Sequence, residues 1–240
     1  MSTEEIFRDD AYTTDCESTV ARINDMGGII LAATVFYPSG GGQPGDSGSL
    51  KMAGGESVRI ATTVTDRDTG EIVHVPEEGQ VLPQAGSIVT AHIDWDRRHR
   101  LMRMHTAMHL LCALVPCGVT GGQVGENKSR LDFDTGDYQA DKEALTDALN
   151  TLVEADHPVA ARWITDAELD AAPDLVRTMS VQPPRGSGRV RLIDIGSGAV
   201  DLQPCGGTHV VHTGEIGRLR LSKIENKGKR NRRMHIVFEE

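Results

Sequence analysis

Apolar positions in the first 93 residues come in short bursts: Ile29–Phe36, Val58–Val64, Ile72–Val75 and Ile88–Ile93. Turn clusters such as DRDTG at 66–70 and PSGGGQPGDSG at 38–48 separate them. Bursts of this length between Gly, Pro and Asp clusters predict β-strands, and their spacing favours a small barrel or sandwich over a parallel βαβ sheet. The pattern changes at Asp94, which suits a helix N-cap. Leu101, Met104, Met108, Leu111 and Val115 then recur every three or four residues, the period of a helix face, and Pro116 ends the run. A second helix is predicted over Asp141–Ala155, with Leu145, Ala148, Leu149 and Leu152 on its buried stripe. Strand-like segments follow at Ser129–Phe133, Val190–Ile195, Glu215–Ile224 and Met234–Phe238. The predicted fold class is α+β: a β-rich, barrel-like domain over 1–93, then a mixed α/β domain with an antiparallel sheet and packed helices over 94–240.

Composition adds limits. With 38% hydrophobic and 25% charged residues the chain has the means to bury a core, and with 4% aromatics that core must be mostly aliphatic. No apolar run approaches the roughly 20 residues that span a bilayer, and the opening MSTEEIFRDD lacks a basic-then-apolar export signal. No membrane role is expected. Four cysteines (Cys16, Cys112, Cys117, Cys205) form no CxxC pair, which fits reduced thiols in a cytoplasmic protein. The net charge of −10 argues against general nucleic-acid binding. Its distribution matters more. Residues 216–240 hold eight Lys or Arg against three Glu, net +5, whereas the other 215 carry 17 basic and 32 acidic side chains, net −15.

Two short motifs carry the chemistry. In HTAMH, His105 and His109 stand four apart on the predicted helix, so both imidazoles leave one face a turn apart, the spacing for two ligands of one metal ion. In PCGGTH, Cys205 and His209 are separated by three small residues, whose two glycines allow a sharp turn. One Cys and three His make a tetrahedral, borderline-soft donor set suited to one Zn²⁺ per chain. A zinc-protease reading fails, because the position after the first histidine is Thr106 and no carboxylate lies within the motif. No nucleotide cofactor is expected: SGGGQPGDSG lacks the GK[ST] ending of a phosphate loop, and IGSGAV at 195–200 lacks the third glycine of a dinucleotide fingerprint.

HTAMHLL, SRLDFD at 129–134, CGGTHV, TGEIG at 213–217 and the basic KIENKGKRNRR segment resemble, in order, the editing domain of alanyl-tRNA synthetases. They are still more similar to its free-standing relatives, the AlaX-type trans-editing proteins. YPSGGGQPGDSG resembles the glycine-rich segment of the medium-length class, in which a β-barrel domain precedes the editing domain. The likeness runs from about residue 12 to 238, and the absence of an ATP-binding motif fits an ATP-independent, free-standing form.

What the resemblance implies is an aminoacyl-tRNA deacylase serving translation fidelity. Its substrate would be tRNA(Ala) mischarged with serine or glycine, with Ala-tRNA(Ala) spared. A pocket built for alanine rejects such near-isosteres only about 10- to 200-fold, so a second, hydrolytic sieve is needed. The family's metal ligands fall on His105, His109, Cys205 and His209. Thr106 is a pocket wall or hydrogen-bond partner, Gln123 lies near a polar pocket position, and Gln43 and Asp46 of the glycine loop border the pocket. Lys223, Lys227, Lys229, Arg230, Arg232 and Arg233 would hold tRNA phosphates, on a monomer or weak dimer. The alternatives are a non-catalytic, zinc-stabilised RNA-binding module and an editing protein for a threonyl-type tRNA.

Overall fold

The computed structural model describes residues 3–179 and 188–239. The chain divides into two compact units, Met1–His99 and Arg100–Glu240. Its elements make a mixed α+β protein. No helix among the described residues is long and apolar enough to cross a membrane.

The first unit opens with β1 (Glu4–Glu5) and a helical turn α1 (Ile6–Asp9), followed by β2 (Asp15–Ile23), β3 (Ile29–Leu31), β4 (Ala33–Thr34), β5 (Gly48–Met52), β6 (Ser57–Thr65), β7 (Ile72–Pro76) and β8 (Ile88–Ile93). Six of these close into an antiparallel barrel in the order β2-β3-β7-β6-β5-β8. Closure leaves no open edge to aggregate. Strict alternation explains β6, whose Val58 and Ile60 point inward between exposed neighbours. They meet Val20, Ile29, Leu31, Phe36, Leu50 and Val89 in an aliphatic core. Strand β2 gives a weaker signal because one inward position is Ser18, whose Oγ accepts the backbone N–H of Ala33 at 2.9 Å. The glycine-rich loop before β5 is a tight turn held against the barrel. A Cβ on Gly45 would lie 1.8 Å from the Thr63 carbonyl oxygen, so no larger residue fits.

The second unit contains most of α2 (Trp95–Leu114), then β9 (Gly118–Gln123), β10 (Lys128–Asp134), α3 (Lys142–Glu154), β11 (Val159–Thr165), α4 (Asp166–Ala171), β12 (Arg189–Ile195), β13 (Asp201–Pro204), β14 (Leu219–Asn226) and β15 (Asn231–Phe238). Two antiparallel sheets result, β14-β15-β10-β9 and β11-β12-β13. Asp94 caps α2 by accepting from Arg97 N at 3.2 Å, and Asp141 caps α3 by accepting from Ala144 N at 3.0 Å. Helix α3 docks on β14 through buried Asn150, which donates to Leu219 O at 2.8 Å and accepts from Leu219 N at 2.9 Å. The segment expected to start a strand at Glu215 is instead a 3₁₀ turn over Thr213–Ile216. The Glu215 carboxylate accepts from Val211 N and His212 N, and Gly217 at φ +72° redirects the chain before β14 begins.

One buried histidine gives the barrel a pH dependence. His74 is fully buried, 2.7 Å from Thr34 Oγ1 and 2.9 Å from Ile29 O. Burial disfavours its imidazolium more than the Ile29 carbonyl favours it, so its pKa falls from 6.5 to about 4. The unfolded chain then takes up a proton near 6.5 and the folded one only near 4. His74 therefore costs no stability above pH 6.5 and about 3 kcal/mol by the time pH has fallen through that window. Urea unfolding followed by a barrel probe should show this acid decline in the parent chain and a shallower one in His74→Gln. Equal slopes for the two would contradict the assignment.

Candidate metal centre

Helix α2 is buried on nearly every side around the site: each residue from Met104 to Cys112 is inaccessible, including His105, Thr106 and His109. Buried on this helix, the two histidines meet protein partners instead of solvent. That partner comes from the loop after β13. Cys205 Sγ lies 3.5 Å from His105 Nε2 and 3.3 Å from His209 Nε2, and all four donor atoms of His105, His109, Cys205 and His209 fall within 4.8 Å of one another. Two ligands bonded at about 2.0–2.3 Å in tetrahedral geometry stand roughly 3.6 Å apart. The donor set therefore fits one divalent ion.

Surrounding bonds orient these donors. Thr106 Oγ1 is 3.2 Å from His209 Nδ1 and 3.0 Å from Met102 O, and it also accepts from Val210 N at 3.3 Å. With its hydrogen on Met102 O, Thr106 accepts from His209 Nδ1 and leaves Nε2 free to face the cluster. The backbone N–H of Gly207 approaches Cys205 Sγ at 3.4 Å. Arg191, on β12, donates to the carbonyls of Cys205 (3.0 Å) and Gly207 (2.9 Å) and so fixes the loop from outside. Burial alone would lift the Cys205 thiol, but the charges of His105 and His209 and bonds from His105 and His109 hold it well below its ordinary range. The favoured form is the thiolate, which is the metal-binding form. His209 is pushed down by burial and then by His105. For His109 burial acts the same way, but its bond to Asp201 and the nearness of Cys205 raise it to about 10. Cys112 is a core thiol, lifted to about 12 chiefly by burial.

The other expected site residues are distributed differently. Gln123 ends the edge strand β9, exposed, with its Oε1 3.3 Å from Arg130 Nε. Gln43 is buried in the first unit, its backbone paired with Gly40 across the glycine turn. Asp46 is buried there too, with both oxygens spent on protein donors: Arg98 Nε and Nη2, and Tyr37 N at 2.6 Å. Arg98, fully buried, also donates to Ala11 O and Val35 O. A carboxylate so occupied is a structural counter-ion. Sequence reading passed over its partner because Arg98 sits in a run of exposed-looking charges.

The six basic residues lie on the β14–β15 hairpin. Arg233 makes a two-point ion pair with Asp132 at 2.7 and 2.8 Å, Arg230 bonds Asp134 at 3.0 Å, and Lys223 pairs with Glu225. Arg232 donates to Asn231 O and Gly228 O. Lys227 and Lys229 sit exposed in the turn, without an ion pair among the described residues. Sequence reading missed Asp201 and Gln203, which back His109. Their signal was the period of two leading into Cys205, since alternate residues of a strand share one face. IGSGAV is the β12–β13 turn, with Gly196, Ser197 and Gly198 all at positive φ and Gly198 N bonded to Asp194 Oδ1.

A barrel unit and an α+β unit with a three-histidine, one-cysteine centre define a protein built from parts of the tRNA-synthetase world. Residues 190–235 match the threonyl and alanyl tRNA synthetase second additional domain, and residues 6–97 match class II (A) tRNA synthetases. The alanyl-tRNA editing protein AlaX-M of Methanosarcina acetivorans is 34% identical over 98% of this chain and 99% of its own. That of Saccharolobus solfataricus is also 34% identical, over 99% of both. An alanine–tRNA ligase of Pyrobaculum neutrophilum is 36% identical over 93% of this chain, which corresponds to 25% of the ligase. The chain belongs to the AlaX-M family of alanyl-tRNA editing proteins.

The buried ion pair yields a direct test. Asp46→Asn should destabilise the first unit by about 3–5 kcal/mol, because Arg98 is left charged and unpaired in the core. Arg98→Met with Asp46→Asn should recover much of that loss. Chemical denaturation of the single and double variants checks it, and additive losses would show that the pair is not coupled.

Proposed function

We propose that this chain is a trans-editing aminoacyl-tRNA deacylase that hydrolyses Ser-tRNA(Ala), and Gly-tRNA(Ala), while sparing Ala-tRNA(Ala), with one zinc ion held by His105, His109, Cys205 and His209. The observation that carries it is the donor set, three imidazoles and a cysteine sulfur whose ligand atoms lie within 4.8 Å of one another, in a chain aligned nearly end to end with alanyl-tRNA editing proteins. We assign this chemistry to the region 94–240 and a supporting role to the β-rich region 1–93. Zinc bound there would supply a water of lowered pKa or an electrophile that orients the ester carbonyl.

The chain's own residues do the rest. Buried walls around α2 exclude bulk water, which strengthens every charge interaction inside. Thr106 and Asp201 hold the ring protons of His209 and His109 away from the centre. A metal ion held by these four donors would supply the electrophilic chemistry for ester cleavage, while His105, His109, Cys205 and His209 hold it in place.

Incubating the zinc-loaded chain with Ser-tRNA(Ala), Gly-tRNA(Ala) and Ala-tRNA(Ala) side by side tests the reading. Loss of serine or glycine with alanine retained is expected. Should all three esters decay at the enzyme-free rate while the protein is folded and zinc-bound, a non-catalytic RNA-binding module is the better account. Selective loss from mischarged tRNA(Thr) would point to the threonyl system.

The hairpin supplies the phosphate-binding surface in this reading. Replacing Lys227, Lys229 and Arg232 with Gln should flatten the salt dependence of tRNA binding by about 0.7–0.9 log units per lost contact. Arg233→Gln should change it less, because its charge is already matched by Asp132. Equal slopes in the parent and the triple variant would remove the hairpin from the interface.

A further inference from the structure

Behind His109 the structure holds a buried anion that the four donors leave unexplained. Asp201 Oδ2 is 2.8 Å from His109 Nδ1 and 2.7 Å from Gln203 Nε2, and Gln203 Nε2 is itself 3.1 Å from His109 Nδ1. Asp201 and Gln203 are buried, and no Lys or Arg is bonded to Asp201 among the described residues. A carboxylate only accepts hydrogen bonds, so both nitrogens must point their N–H at Oδ2. The amide does so from its place on β13, two residues along the same strand face. That fixes a proton on His109 Nδ1, so the nitrogen left to ligate a metal ion is Nε2, on the side of His105, His209 and Cys205.

Charge counting gives the carboxylate its second task. An ionised aspartate out of water costs several kcal/mol unless opposite charge is close. Here the surrounding groups are three imidazoles and one thiolate. A carboxylate and a thiolate together carry −2, which a divalent cation neutralises when the imidazoles are uncharged. A site of three His and one Cys alone would keep a surplus of +1 in a buried place.

We infer that Asp201, oriented by Gln203, is a positioning residue of the metal centre: it fixes the ligating tautomer of His109 and completes the charge balance that suits the site to a divalent ion. It acts through His109 and touches neither substrate nor metal. The inference rests on the metal-binding reading of the cluster and is independent of which ester the protein cleaves.

Metal affinity is the readout, measured by chelator competition with Zn²⁺ and by Co²⁺ absorption, with no tRNA present. Asp201→Asn removes the charge and offers an amide that can donate as well as accept, so neither the tautomer nor the balance is imposed. Its affinity should fall about 10- to 100-fold while Co²⁺ at saturation still gives the intense tetrahedral spectrum. A purely structural Asp201 would lower apo stability in the variant while leaving metal affinity unchanged, and would overturn the inference. Asp201→Glu, which keeps the charge, should recover most of the affinity. If Asp201→Asn does not fold, Gln203→Met reads the same network, and parent-like affinity there counts against the inference. A parent chain that binds neither Zn²⁺ nor Co²⁺ defeats the metal reading itself. Metal binding that depends on Asp201 in a chain without deacylase activity would leave this inference standing and remove only the proposed reaction.

Discussion

Three imidazoles and a thiolate brought to one buried point cost free energy before they return any, because each loses water and the thiolate loses the most. The second unit is arranged around holding them there. Helix α2 contributes two donors from consecutive turns and is inaccessible around them. The β13 loop contributes the other two and is tied down by Arg191 on its carbonyls and by the Gly207 N–H on the sulfur. The turn over Thr213–Ile216 that follows then anchors the chain. Thr213 bonds Leu152 O and His157 N, and the Ile216 carbonyl accepts two bonds from Arg103 on α2. Each of these bonds serves a segment that carries a donor or adjoins one.

The first unit meets the same problem with different chemistry. Its core is aliphatic, yet it holds the full length of Arg98, and the guanidinium survives there because every face of it is met: Asp46 on one side, the Val35 and Ala11 carbonyls on the others. His74 solves burial by staying neutral between Thr34 and Ile29. Arg98, Asp46 and His74 are thus each met by named partners. Losing a partner is costly in such a place, whereas replacing the whole set by apolar residues is often tolerated.

This matching explains what the sequence made legible. Helices α2 and α3 were readable because their apolar period is long and their N-caps are aspartates, the barrel strands β6 and β8 because burial alternates along most of their length, and β7 because it is a short apolar run between turn residues. The four donors were readable as two short-spaced pairs. Strand β9, with VTGGQ, was not: glycines carry no hydrophobic signal, although a Cβ at Gly122 would stand 3.1 Å from the side-chain ends of Met108 and Leu131. Strand β11 is an edge strand exposed along most of its length, so it has no buried face to betray it. Arg191, Arg98, Asp201 and Gln203 were invisible for another reason. A charged or amide side chain reads as surface until the partner that buries it is known, and those partners are up to 94 positions away.

The basic hairpin shows the same dependence on partners, with the opposite outcome. Read as a string, residues 216–240 carry net +5. In the folded chain the β14–β15–β10 sheet sets Arg233 on Asp132, Arg230 on Asp134 and Lys223 on Glu225, whose carboxyl is held at about 2 by Lys223 and then His235. These pairs, two between segments and one along β14, lie at or near the surface, where each is worth little to stability. Their larger effect is on the field: β14, β15 and β10 carry six Lys or Arg against three carboxylates, net +3, and Lys128, Arg220, Lys227, Lys229 and Arg232 have no ion pair among the described residues. Within about 10 Å of salt-screened water only the nearest charges are felt, so these five set the local field of the hairpin although the chain as a whole is acidic.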